Sequence, residues 1–240
     1  MSNSSRIGAT AIDVVGTLLD LHPEIDSLAL FEPAAAPLAQ ERLDQVERSK
    51  NIIESGLSIR RDFALPFWDS VLLSCFGTGL DAFPIIENAL FHNSPPRRQF
   101  WVASKDWSAN HLARFVQEVA LGQILVVSSR VRLRDESYRH IPMVDFHCPV
   151  GKANQEMSAR VAKLLHPTGG YLLDSGQSYH FYGRSLIPEA EFTPFLGHAL
   201  LLSPIIDRAW IAHQLIEGAC GLRISRKPDT SIIPSVVQEL

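Results

Sequence analysis

Apolar positions change their spacing along this chain. Over residues 38–56, LAQERLDQVERSKNIIESG, they recur at helical intervals beneath a charged outer face, and Gly56 stands where a helix stop is expected. FWDSVLLSCFG and AFPIIENALFHN read as two further apolar helices, and FEPAAAPLAQ (31–40) reads as a Pro/Ala-rich linker. HNSPPRRQ (92–99) breaks the pattern. We therefore read 1–96 as an N-terminal, mostly helical or α/β module, and 97–240 as a second unit.

The second unit alternates more clearly. RQFWVAS reads as a strand. SANHLARFVQEVALG sets Leu112, Phe115, Val116 and Val119 on one helical stripe, with Ser108 at the N-cap position. QILVVSSRVRLRD reads as a strand that sends Val131 and Leu133 one way and Arg130, Arg132 and Arg134 the other. IPMVDFHC is another strand. ANQEMSARVAKLLH is a helix that buries Met157, Val161 and Leu164. GYLLDSGQS and YHFYGRSL read as strands, EAEFTPFLGHALLL and RAWIAHQLIEG as helices, and GLRISR as a last strand. Strands and helices mixed with hairpins predict an α+β fold, a sheet covered by helices, and not a doubly wound one.

Composition adds bounds. The 240 residues are 46% hydrophobic and 20% charged, which fits an ordinary globular protein of one domain or two. Cys75, Cys148 and Cys220 show no paired metal spacing, so reduced thiols in a cytoplasmic protein are expected. The first 26 residues suggest neither a leader nor a membrane helix, and no membrane partner is expected. The net charge of −4 conceals an asymmetry. Residues 1–96 carry 6 Lys/Arg against 13 Asp/Glu, and residues 97–240 carry 16 against 13, with seven of the nine histidines. Phosphate chemistry is expected in the second part.

Three stretches there place polar groups where the pattern wants apolar ones. In MVDFHC, Asp145 and His147 lie two apart, on one strand face. A carboxylate beside an imidazole suits a divalent cation, or a buried Asp–His hydrogen bond. In SGQSYHFYG, Ser178 and His180 share a face after a turn whose N–H groups suit an anion; a protonated His180 would pair with phosphate, and a core histidine in a hairpin is the structural alternative. In SPIIDRAW, Asp207 follows an apolar run and stands where an N-cap is expected. LRISRK then adds Arg223, Arg226 and Lys227. The arginines at 130, 132 and 134 stand about 7 Å apart along a strand and suit a nucleic-acid backbone or a charged sheet edge.

Taken in order, MVDFHC, SGQSYHFYG, SPIID and LRISRK resemble the motifs of the archaeo-eukaryotic primase superfamily over residues 98–240: an acidic metal-binding strand, a Ser-x-His strand, an apolar run ending in Asp, and a basic strand. The resemblance implies a core sheet of RNA-recognition-motif type, with residues 1–96 as a module packed on it. It implies that Asp145, His147 and Asp207 form the metal site for one or two Mg²⁺ or Mn²⁺ ions. Asp145, His180 and Asp207 would be the catalytic residues. Ser178, His180, Arg223 and Lys227 would bind a nucleoside triphosphate, on a DNA or RNA template. A helicase or another replication or defence protein would be the outside partner.

One position departs from the family pattern. His147 stands where a second acidic residue is usual, which resembles a branch described as 1D-like. Two-ion phosphoryl transfer relies on several carboxylates. A neutral nitrogen ligand disfavours Mg²⁺ and suits Mn²⁺ better. The sequence thus supports a template-directed nucleotidyltransferase, with two alternatives. One is a degenerate nucleotide or nucleic-acid binder in a replication or phage-defence assembly. The other is a metal-dependent hydrolase or nuclease built on Asp145, His147, His180 and Asp207.

Overall fold

The computed structural model describes residues 6–33, 49–76, 98–108, 110–112, 115, 124–226 and 232–240. It divides into two compact units: residues 1–32 with 97–240, and residues 33–96.

The larger unit opens with α1 (Ala11–Leu21). Thr10 and Asp13 form a capping box, in which the Asp13 carboxylate accepts from the Thr10 N–H at 2.8 Å. Ala11, Val14, Val15, Leu18 and Leu19 make the buried stripe. The chain then enters β1 (Ile25–Glu32), whose Leu28, Ala29 and Leu30 are all buried. β1 lies between β2 (Arg98–Ala103) and β3 (Val126–Leu133), antiparallel to both. β3 is shared along its other edge. Its C-terminal half pairs with β4 (Tyr138–His140), which pairs in turn with β8 (Ile187–Pro188), while its N-terminal half pairs with β9 (Gly221–Arg223).

A second sheet runs in the order β10 (Ser235–Glu239), β6 (Gly170–Asp174), β7 (Tyr179–Gly183), β5 (Met143–Asp145), again antiparallel. Three helices accompany the sheets: α4 (Lys152–Leu165), α5 (Glu189–Leu200) and α6 (Arg208–Glu217). α4 packs on β7 and α5; α5 packs on β4, β8 and α6. Side chains from α1, α4, α5, α6 and both sheets join in one core. The fold is α+β with two antiparallel sheets where one was expected. Among the described residues no helix is long and apolar enough to cross a membrane.

The smaller unit contains α2 (Ser49–Phe63) and α3 (Phe67–Cys75), packed through Ile52, Ile53, Val71 and Cys75. α2 does not stop at Gly56. The glycine sits inside the helix because a Cβ there would come within 2.9 Å of Val71 Cα, so its bareness lets the two helices close.

Other expectations shift as well. Residues 6–32 belong to the larger unit and not to an N-terminal 1–96 module, because β1 is an interior strand of its sheet. On α4, Leu164 is 70% exposed; Ser158, Ala159, Val161 and Ala162 take the buried side. The Ser108 cap is present, its hydroxyl accepting from the His111 N–H at 3.1 Å. The stretch AFPIIENALFHN, most of the linker 31–40, most of 92–99, Val116 and Val119 lie outside the described residues.

Candidate functional site

The site begins with two short strands. β5 and β7 pair so that Asp145 stands directly opposite His180, and opposite residues of antiparallel strands share a face. Their side chains meet at 3.7 Å, Oδ1 to Nε2. The surroundings of the two differ. Asp145 is half-buried, whereas His180 is only 6% exposed and its Nδ1 is buried with no hydrogen-bond partner. Burial above all, then the nearby Arg223 guanidinium, pull the His180 pKa down to about 3. The imidazole is neutral at ordinary pH, so it does not meet a phosphate as a cation. One step behind it on β7, Tyr182 buries an unpartnered hydroxyl that burial holds protonated.

The segment between β6 and β7 is a tight turn. The Ser175 N–H and hydroxyl both donate to the Ser178 carbonyl at 3.0 Å. Gly176 supplies the left-handed conformation, φ +100°, and its N–H donates to Asp174 at 2.6 Å. This turn carries Ser178 to the head of β7, beside His180.

Arg223 takes a different part from the one expected. Its side chain is buried, and it donates to three backbone carbonyls: Ser175 at 2.7 Å, Ile232 at 2.8 Å, and Ser225. It braces the Ser175 turn against the segments after β9, and its charge stays within the site. Lys227 lies outside the described residues.

Asp207 caps α6. Its Oδ1 accepts from the Ala209 and Trp210 N–H groups at 2.8 and 3.0 Å. Its own N–H donates to the Asp145 carbonyl at 3.1 Å, and the His147 N–H donates to the Ile205 carbonyl at 2.7 Å. The backbone thus lays the Asp207 segment along Asp145 and His147. The carboxylates nonetheless separate into two pairs, for Asp207 Oδ2 lies 3.6 Å from His147 Nδ1 while Asp145 faces His180. Among the described residues no three His, Cys, Asp or Glu gather as a metal-holding group. The trio Asp145, His147 and Asp207, and the four-residue cluster of a hydrolase, are therefore not assembled.

A cleft of about 280 Å³ opens over this region. Its lining combines the polar Asp145, Ser175, Gln177, Ser178, His180 and Arg223 with Ile124, Val126, Trp210, Gly221 and Leu222. His147 and Asp207 are not in its wall. Asp145 is the one carboxylate of this lining, so the donors fit a single oxygen-seeking ion that would take most of its ligands from elsewhere. They do not fit two ions bridged by paired carboxylates.

The arginine ladder of β3 lies elsewhere and is engaged. Arg130 pairs with Glu189 at 3.1 Å and sits 4.1 Å over the Tyr138 ring. Arg132 pairs with Asp26 at 2.5 Å, and Arg134 donates to the Pro23 carbonyl at 2.9 Å. Sequence reasoning missed the apolar wall, because Gly221, Leu222 and Trp210 look like ordinary strand and helix residues until β9 is placed beside β3.

Comparison with known proteins returns one family. Residues 103–233 match the family described as archaeo-eukaryotic primase 1D-like. The matched span is more than half of the chain and contains every residue lining the cleft. No curated protein and no solved structure is significantly similar. The chain belongs to the archaeo-eukaryotic primase 1D-like family.

Proposed function

We propose that the cleft binds a nucleoside triphosphate with one divalent ion, and that the chain is a primase-like nucleotidyltransferase acting on a nucleic-acid template. The observation that carries the reading is the Asp145–His180 pair on the wall of a cleft that also presents Ser178 and the charge of Arg223.

Each residue has a distinct task in this reading. Asp145 is the carboxylate that would hold Mg²⁺ or Mn²⁺, which supplies neutralisation of phosphate charge. Neutral His180 donates an N–H to a phosphate oxygen, and the Ser178 hydroxyl donates beside it, which orients the triphosphate. Arg223 keeps the Ser175 turn in place and adds a fixed positive charge. In the transfer, a 3′-hydroxyl oxygen bonds to the α-phosphorus, the bond from that phosphorus to the β-phosphate oxygen breaks, and pyrophosphate leaves with its electron pair. The hydroxyl proton passes to solvent.

A second reading has its own support. Asp207 is engaged by helix capping and His147, outside the cleft wall, which favours a protein that binds nucleotide without turning it over. Primer synthesis and extension with Mn²⁺ and with Mg²⁺ decide between the two. We expect product from the wild type and at least a hundredfold less from Asp145→Ala. Saturable nucleotide binding with no product supports the binder, and release of free nucleotide without joining supports a hydrolase. Equal product from Asp145→Ala removes the assignment of the site.

A further inference from the structure

The lining of the cleft is of two kinds. Ser178 and His180 offer donors to phosphate, and Asp145 adds a carboxylate for a cation. The rest is aromatic and aliphatic: Trp210 from the first turn of α6, Leu222 and Gly221 from β9, and Val126 from β3, where Val126 stands opposite Arg223. Neither the capping of α6 nor the pairing of β9 requires an indole there.

Trp210 is also held at two points. Its backbone N–H is fixed by the Asp207 cap at 3.0 Å, and its indole N–H donates to the Gly221 carbonyl at 3.2 Å. An indole tethered by its N–H edge keeps one orientation; it packs partly against the core and presents the remainder to the cleft at low entropic cost. Gly221 is bare for a packing reason. A Cβ there would come within 2.6 Å of Phe31 and 2.9 Å of Val126, so β9 lies close against its neighbours and the wall is firm.

We propose that Trp210, with Val126 in the same lining, is the nucleobase subsite of the cleft, stacking the base while Ser178 and His180 hold the phosphates. The proposal rests on the nucleotide reading above and extends it to the part of the ligand that reading leaves unassigned. The volume of about 280 Å³ lies just below the usual range for ligand sites, so in this proposal part of the nucleotide extends toward solvent. Stacking on an indole tolerates every base, because each has a π-face. The subsite therefore contributes affinity and not base choice, which falls to the template.

The test compares two probes on the full chain: a nucleoside triphosphate with Mn²⁺, and inorganic tripolyphosphate with Mn²⁺, which lacks base and sugar. Binding is followed by calorimetry, and indole fluorescence is recorded with the nucleotide. We expect Trp210→Ala to weaken nucleotide binding by about tenfold or more and to leave tripolyphosphate binding within about twofold. Trp210→Phe, which keeps an aromatic ring and loses the N–H tether, should retain most of the nucleotide affinity. His180→Ala should weaken both probes. The four common nucleoside triphosphates should bind within about threefold of one another. Equal losses for both probes in Trp210→Ala, or no loss for either, overturn the base subsite while wild-type nucleotide binding preserves the nucleotide reading. Wild-type protein that binds neither probe overturns both.

Discussion

His180 is a polar side chain placed where the chain can least hydrate it. Burial and Arg223 depress its pKa to about 3, against an ordinary histidine value near 6.5, with Asp145 as the only acid opposite it on the neighbouring strand. Between those two values the unfolded chain binds a proton that the folded chain refuses, so folding stability falls as pH drops through that window and is flat above it. His140 acts in the same direction. It is buried against Phe192 between Ser129 and Glu189, and burial chiefly, with Arg130, lowers its pKa to about 4. We expect the melting temperature to decline steeply from about pH 7 to about pH 4. Burial also lowers the pKa values of His166 and His213, so the decline should be shallower, though not abolished, in His180→Asn, which removes one of these four groups. Thermal melts across that range check it, and an unchanged slope in His180→Asn means the imidazole is protonated in the fold.

Among the elements, α6 shows how capping and chemistry compete for one side chain. The sequence marks Asp207 as an N-cap, and its Oδ1 does accept two N–H groups of the first turn. Losing the cap in Asp207→Ala should cost about 1 kcal/mol of stability. Asp207→Asn keeps the cap, since asparagine is as good in that position, and removes only the charge. Equal activity of Asp207→Asn and wild type in primer extension makes Asp207 a structural cap alone; a large loss at unchanged melting temperature makes it a ligand of the ion. The face-sharing of Ser178 with His180 and the cap at 207 were legible because both are local, set by a period of two and by a helix start. The partners were not. Nothing in the spacing of MVDFHC says that Asp145 will meet His180 while His147 turns to Asp207, since strand order decides that, and strand order is nonlocal. Arg223 misled for a related reason: a basic residue on a short strand suggests phosphate, yet three carbonyls brought from residues 175, 225 and 232 claim it.

At the scale of the whole molecule, the boundary near residue 96 was legible from HNSPPRRQ, but the role of the first 32 residues was not. Their apolar stretches are short, so a search for long runs passes over the α1 stripe and the Thr10–Asp13 box that do mark a helix. Register then explains how the smaller unit is connected. Glu32 and Arg98 are direct partners at the ends of β1 and β2, and their side chains pair at 2.6 Å. Residues 33–97 therefore leave and re-enter at adjacent points, so the smaller unit is an insertion into what is otherwise a β-hairpin, and such insertions are tolerated where the ends lie close. Two shortened chains separate this reading from one in which residues 1–96 form a module. Joining Glu32 to Arg98 through an Asn-Gly turn restores a hairpin of ordinary loop length. That chain should melt cooperatively and retain nucleotide binding, because every residue lining the cleft falls between 124 and 223. A chain beginning at residue 97 loses β1, which is the strand that joins β2 to β3, and with it the buried Ile25, Leu28 and Leu30. It should give no cooperative transition. Folding of the chain from 97 would restore the module at 1–96, and failure of the joined chain would make residues 33–97 part of the fold's foundation.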